Sequence, residues 1–173
     1  SEIFLEERSA NVSGTSIYPS LEGTRPILIE VQALVTNANY NTAQRNVTGF
    51  NYKRLSMLTA VLEKRIGLAM GTKDIFVNLV GGLKIDDPAA DLSIISAIAS
   101  STMDKYIEKD IILCGEVGLT GEVRSISHLN QRITEAFSLG FKKAIVPSYG
   151  MKEKLKNVDI DLYPVKNVKE TFK

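Results

Sequence analysis

Ile27-Leu28-Ile29-Glu30-Val31-Gln32-Ala33-Leu34-Val35 is an aliphatic and largely β-branched run broken only by Glu30 and Gln32. A run of this kind reads as a well-buried strand, and strands covered on both faces belong to sheets that carry helices. Upstream, Leu21-Glu22-Gly23-Thr24-Arg25-Pro26 is turn chemistry that leads into it. Downstream, a polar loop extends to Gly49. Asn51 then supplies an N-cap for a helix from Tyr52 to Ile66 with Leu55, Leu58, Leu62 and Ile66 on one face, closed by Lys64, Arg65 and Gly67. Asp74–Val80 is the next strand. Asp87 followed by Pro88 is a cap and first-turn proline for a helix rich in Ala and Ser, carrying Leu92, Ile95, Ile98 and Ala99.

Ile111–Val117 reads as a strand that Gly118-Leu119-Thr120-Gly121 turns into Glu122-Val123-Arg124, a short hairpin. Ser125 or Ser127 can cap the helix bearing Leu129, Ile133, Ala136 and Phe137, and Lys143–Pro147 is a further strand. Asp161-Leu162-Tyr163-Pro164 then separates two Lys-rich helical stretches. The alternation predicts one α/β domain with a mixed sheet over residues 25–173, preceded by an extension over residues 1–24.

Composition agrees with this. The 173 residues are 44% hydrophobic and 24% charged, with a formal charge of +1, so a nucleic-acid role requires local clustering of cations. One cysteine, Cys114, and one histidine, His128, exclude a disulfide framework and most metal-ligand sets. The first residues lack the basic and apolar regions of a signal peptide, and no apolar run reaches the ~18 residues of a membrane span. A reducing cytoplasm fits best.

The near-zero charge conceals segregation. Residues 31–62 contain no Asp or Glu, but they contain Arg45, Lys53 and Arg54 among many Asn and Thr residues. Cations interleaved with amides and hydroxyls suit phosphate and sugar contacts; the alternative is a solvated polar loop. Lys84 follows Gly81-Gly82, where a phosphate backbone could approach closely. Arg45, Lys53, Arg54 and Lys84 are therefore the candidate DNA contacts.

Enzyme signatures are sparse. There is no G-x-x-x-x-G-K-[ST], and the glycines at 115, 118 and 121 fall in a hairpin instead of a strand-to-helix turn. Cys114 reads as a buried inert thiol, His128 as a surface or capping residue, and Asp86, Asp87 and Asp91 as helix-start acids that complement the dipole. The sequons at Asn11 and Asn46 carry no meaning in a cytoplasmic chain.

Gly81–Asp91 resembles the nucleophile segment of Lon-type proteases, D-G-P-S-A-G, and Gly115–Arg124 resembles the hairpin that follows it. Phe141–Pro147 is similar to the Lon terminal strand. Closer still is the C-terminal domain of the bacterial DNA-repair family RadA (Sms). Its E-G-T-R-P, V-Q-A-L-V, A-V-L-E-K-R, P-A-A-D-L and G-E-V-G-L-T-G-E-V-R stand here at Glu22–Pro26, Val31–Val35, Ala60–Arg65, Pro88–Leu92 and Gly115–Arg124.

The resemblance implies a Lon-protease-like fold, a ribosomal-protein-like mixed sheet packed with helices, with residues 1–24 ending a preceding ATPase core. It also implies a catalytically dead site. Ala89 stands at the nucleophile position and Asn130 at the lysine position, so a serine–lysine dyad has neither hydroxyl nor amine. ATP, Mg and Zn are expected only in other parts of the family's proteins, leaving no cofactor in this chain. The implied partners are single-stranded or branched DNA, further copies in a ring of six, and a recombinase filament, in the bacterial cytoplasm with no membrane. The competing readings are a structural or protein-interaction module without DNA contact, and an active serine–lysine peptidase.

Overall fold

The computed structural model of the chain describes residues 5, 7–39, 42–81, 83–150 and 158–172. Thr15–Glu22 (β1) and Arg25–Asn37 (β2) form an antiparallel hairpin in continuous register from Glu22↔Arg25 to Thr15↔Gln32. Arg45–Thr48 (β3), Lys73–Leu79 (β4), Ile111–Leu113 (β5), Lys143–Pro147 (β8) and Asp161–Val165 (β9) complete a seven-stranded sheet in the order β3-β4-β2-β1-β5-β8-β9. The β4–β2 and β2–β1 pairs are antiparallel and the others parallel, which makes the sheet mixed. Glu116–Val117 (β6) and Val123–Arg124 (β7) form a separate two-stranded ribbon.

Four expectations need correction. Residues 15–22 are no extension: β1 lies at the middle of the sheet between β2 and β5, so the domain begins well before Arg25. Its sequence, TSIYPSLE, mixes Ser, Thr and Pro with apolar residues and gives little strand signal by itself. The polar loop before Gly49 contains β3, a four-residue edge strand. Ile111–Val117 breaks after Leu113, and a Cβ at Gly115 would sit 2.7 Å from Val123 Cγ1. Asp161–Val165 is the other edge strand, where Pro164 is tolerated, and is no helix linker. Of the Lys-rich helical stretches around it, residues 151–157 lie outside the described residues, and the last is a single short turn at Val168–Thr171 (α4).

Tyr52–Val61 (α1) is capped by the Asn51 side chain, which accepts from the Arg54 N–H. It continues as a π turn over Leu62–Ile66 that ends at left-handed Gly67. A 3-10 turn at Pro88–Ala90 opens Asp91–Met103 (α2), every residue of which is buried from Asp91 to Ser100. Its small residues let it lie close on β1 and β2, and serine hydroxyls bond across the two layers. Ser100 Oγ accepts from the Gly14 N–H at 2.9 Å, Ser101 Oγ from the Val35 N–H at 3.0 Å, and Ser16 Oγ donates to the Ser93 carbonyl at 2.7 Å. Leu129–Ser138 (α3) packs on β1 and β2. Among the described residues no helix is long and apolar enough to cross a membrane.

The covering of β2 changes along its length. Leu28, Ile29, Glu30 and Val31 are all buried, whereas from Gln32 onward exposure alternates, with Ala33 buried between exposed Gln32 and Leu34. One end of the strand is thus covered on both faces and the other on one.

Candidate functional site

Asp87-Pro88-Ala89-Ala90-Asp91 connects the loop after β4 to α2. Asp87 caps the turn, accepting from the Ala89 N–H at 3.0 Å, and Pro88 occupies the first position, where a missing N–H costs nothing. Ala89 is 2% exposed, and its carbonyl accepts from the Gly115 N–H at 2.9 Å.

Two arginines clamp this turn. On one side, Arg132 from α3 is only 1% exposed and spends its donors internally. It donates to Asp87 Oδ2 at 2.9 Å, Tyr18 Oη at 2.9 Å, the Pro19 carbonyl at 2.8 Å and the Ser127 carbonyl at 2.9 Å. Tyr18 in turn donates to Asp87 Oδ2 at 3.1 Å. On the other side, fully buried Asp91 takes both arms of the Arg54 guanidinium, with Nε at 2.9 Å, and the Val117 N–H at 3.0 Å.

Burial opposes the charged form of Asp87. The Ala89 N–H, the Arg132 guanidinium and the Tyr18 hydroxyl outweigh it, leaving the carboxyl below its ordinary value. For Asp91, burial pushes the carboxyl up against the pull of Arg54 and the Val117 N–H. Hydrogen bonding to that carboxylate holds Arg54 more firmly protonated. Burial also raises the Tyr18 phenol, against the opposing charge of Arg132. Neither carboxylate is free to act as a base: Arg54 takes both oxygens of Asp91, and those of Asp87 are divided between the Ala89 N–H and the Arg132–Tyr18 pair.

The remaining candidates are scattered. Asn130 is exposed in the first turn of α3, two residues from Arg132. Ser93 is buried, and its hydroxyl donates to the Leu113 carbonyl at 2.6 Å with the Ile17 carbonyl at 3.1 Å. Ser96 is buried with no partner for its hydroxyl among the described residues. Burial pushes the Cys114 thiol up to about 12, so it stays protonated and unreactive. Neither Ser125 nor Ser127 caps α3. His128 holds the cap position in a left-handed conformation, φ 56°, with no side-chain bond to the helix. No three His, Cys, Asp or Glu side chains converge as a metal site among the described residues.

The four cations expected to face DNA divide into two pairs. The Arg45 guanidinium donates to the Lys73 carbonyl and, at 2.8 Å, to the Met70 carbonyl, bracing β3 against the loop before β4. Arg54 is held by Asp91. Both are half-buried with internal hydrogen-bond partners. Lys53 and Lys84 are exposed. They belong to neighbouring segments, because the Ile85 N–H donates to the Gly49 carbonyl at 2.7 Å and so ties the Lys84 loop to the entry of α1. Gly82, the second glycine of the pair before Lys84, lies outside the described residues.

Sequence reasoning missed Arg132 and Tyr18. Arg132 lies beside Ile133 in a helix read only through its apolar stripe, while Tyr18 falls in the segment taken for an extension. Only the tertiary fold puts either beside Asp87.

A family model described as subunit ChlI of Mg-chelatase matches residues 51–150. A protein of Bacillus subtilis (strain 168) named DNA repair protein RadA is 47% identical over 173 residues, covering all of this chain and 38% of that protein. Proteins of the same name from Streptococcus pneumoniae (strain ATCC BAA-255 / R6) and Aquifex aeolicus (strain VF5) are 44% and 41% identical. They cover 100% and 99% of this chain, and 41% and 38% of their own length. The chain therefore spans about two fifths of the length of these relatives.

Proposed function

We propose, for a chain that belongs to the family described as subunit ChlI of Mg-chelatase and is homologous along its whole length to DNA repair protein RadA, a non-catalytic role as an assembly and DNA-binding platform. The parent protein would be a DNA-dependent ATPase of recombinational repair and branch migration in the bacterial cytoplasm. This chain would be its Lon-like, peptidase-dead domain, which binds single-stranded or branched DNA and closes into a six-membered ring. ATP, Mg and Zn would be handled outside this chain, which contains no phosphate-loop sequence.

The observation that carries the reading is the clamped turn. Where a nucleophile would stand, Ala89 is buried without a reactive atom, and the acids on either side of it are locked to Arg132 and Arg54. A turn fastened in this way is a rigid structural joint between α1, α2, α3 and the β6–β7 ribbon. The exposed lysines at Lys53 and Lys84 favour the DNA arm of the proposal, and contacts of that type track phosphates without reading sequence. A flat α/β domain whose head-to-tail contact closes makes a ring.

Two assays on the chain test this together. Labelled DNA should bind with an affinity that falls steeply with salt, and a denatured protein substrate should not be cleaved. Salt-independent or absent DNA binding would favour an interaction module without DNA contact. Turnover lost on Ser93→Ala or Ser96→Ala would favour a peptidase.

A further inference from the structure

Ser96, Ser100 and Met103 recur at the i, i+4, i+7 spacing of one helix face, and this stripe of α2 borders a groove of about 270 Å³. Ile111 and Leu113 of β5 and Ile145 of β8 line it from the sheet. Leu113 and Ile145 are in register, so these three share one face. Ile107 adds to the apolar lining, and Thr171 and Phe172 contribute from α4 and the residue after it.

Two hydroxyls in this lining, Ser96 Oγ and Thr171 Oγ1, have no partner among the described residues. Ser96 is only 2% exposed. The other serines of α2 are all engaged. Ser93 donates to the Leu113 and Ile17 carbonyls, Ser100 accepts from the Gly14 N–H and donates to the Lys105 carbonyl, and Ser101 accepts from the Val35 N–H. A buried hydroxyl is costly unless something supplies its bond. The charged residues of the lining, Lys105 and Glu108, are exposed, and Glu108 accepts from Lys143 Nζ at 2.7 Å.

We infer that this groove is a small-molecule site for a single apolar ring carrying one hydroxyl group, with the ring against the aliphatic and aromatic lining and the hydroxyl bonded to Ser96 and Thr171. An apolar cavity of ~150 Å³ already admits a benzene ring, whereas clefts for drug-sized ligands run to ~300–1,000 Å³, so the space suits one ring with a short substituent. Met103 and Phe172 favour a ring over an alkyl chain, through sulfur–aromatic and ring–ring contact. A hydroxyl both donates and accepts and so answers both protein hydroxyls, while a charged group there would be buried against neutral ones. The site uses none of the residues of the DNA-binding reading and is independent of it.

Phenol and toluene, which match in shape and differ in the hydroxyl, test this by titration of the chain with the methyl groups of Met103, Ile107, Ile111, Leu113 and Ile145 followed by NMR. Expected are saturable shifts centred on these methyls with phenol and binding at least about fivefold weaker with toluene. That preference should disappear in Ser96→Ala and shrink in Thr171→Val, each checked for folding by circular dichroism. Ser96→Ala should also raise the urea midpoint of the unliganded chain, because it removes an unpaired buried hydroxyl. Absence of saturable shifts at these methyls overturns the site. Equal binding of phenol and toluene, or a preference that survives both substitutions, overturns recognition by the hydroxyl pair and with it the inference. A lowered midpoint for Ser96→Ala overturns it as well, since the hydroxyl would then already be bonded.

Discussion

Arg132 shows how much one side chain can hold. Its guanidinium joins α3 to β1 and to the turn before α2, through four oxygens contributed by Ser127, Tyr18, Pro19 and Asp87. The Asp87 side chain is partly exposed, so what loss of Arg132 strands in the interior is the Tyr18 hydroxyl and the Pro19 carbonyl, at a cost of about 1–3 kcal/mol each. Arg132→Met should therefore lower the urea midpoint far more than Lys53→Ala, an exposed control. The Arg132–Asp87 pair also predicts an acid response. Because the folded Asp87 carboxyl lies below its unfolded value of about 3.9, its contribution is complete above that pH and drains away as pH falls through the lower folded value. Asp91, which burial raises, has the opposite slope. Urea unfolding at pH 6 and pH 2.5 should show a smaller acid loss for Asp87→Asn than for the unaltered chain; an equal loss would remove Asp87 as a source of acid sensitivity.

At the scale of elements, the joint between β3, α1 and the Lys84 loop depends on two local choices. Asn51 caps α1, and Asn51→Ala should cost about 1 kcal/mol in equilibrium unfolding. Gly49 has φ +90°, and an added Cβ would lie 2.5 Å from the Leu83 carbonyl oxygen. A side chain there is strained and also collides with backbone, so Gly49→Ala should cost more than about 1 kcal/mol and loosen the Lys84 loop. Hydrogen exchange at Ile85, whose N–H donates to the Gly49 carbonyl, should speed up more in that variant than exchange in α3. Unchanged exchange at Ile85 would mean that the loop is held by other contacts.

For the whole molecule, putting back the missing side chains should not put back chemistry. A serine oxygen at position 89 would be buried between two arginine-locked acids, and catalysis also needs oxyanion donors and a substrate groove. Ala89→Ser with Asn130→Lys should leave a denatured protein substrate uncleaved, measured by release of soluble peptide. Assembly is a separate expectation: light scattering across a concentration series should find mass above that of one chain, and a monomer at every concentration would count against the ring.

The sequence by itself determined which segments are regular and where the turn before α2 sits. β2, the Asn51 cap, the Asp87-Pro88 start, the hairpin and β8 are set by local periodicity, capping and turn chemistry that neighbours in the chain already carry. Tertiary structure alone decided that Thr15–Glu22 is a central strand, since its weak pattern becomes a strand only by pairing with β2 and β5. It also decided what the charges do. Arg45 and Arg54 read as cations alone because a sequence shows charge without partners, and it is Asp91, Lys73 and Met70, brought close by folding, that supply their acceptors. The groove beside α2 arises in the same way: Ser96, Ile145 and Thr171 are far apart in the chain and line one space only because folding packs α2, β8 and α4 around it.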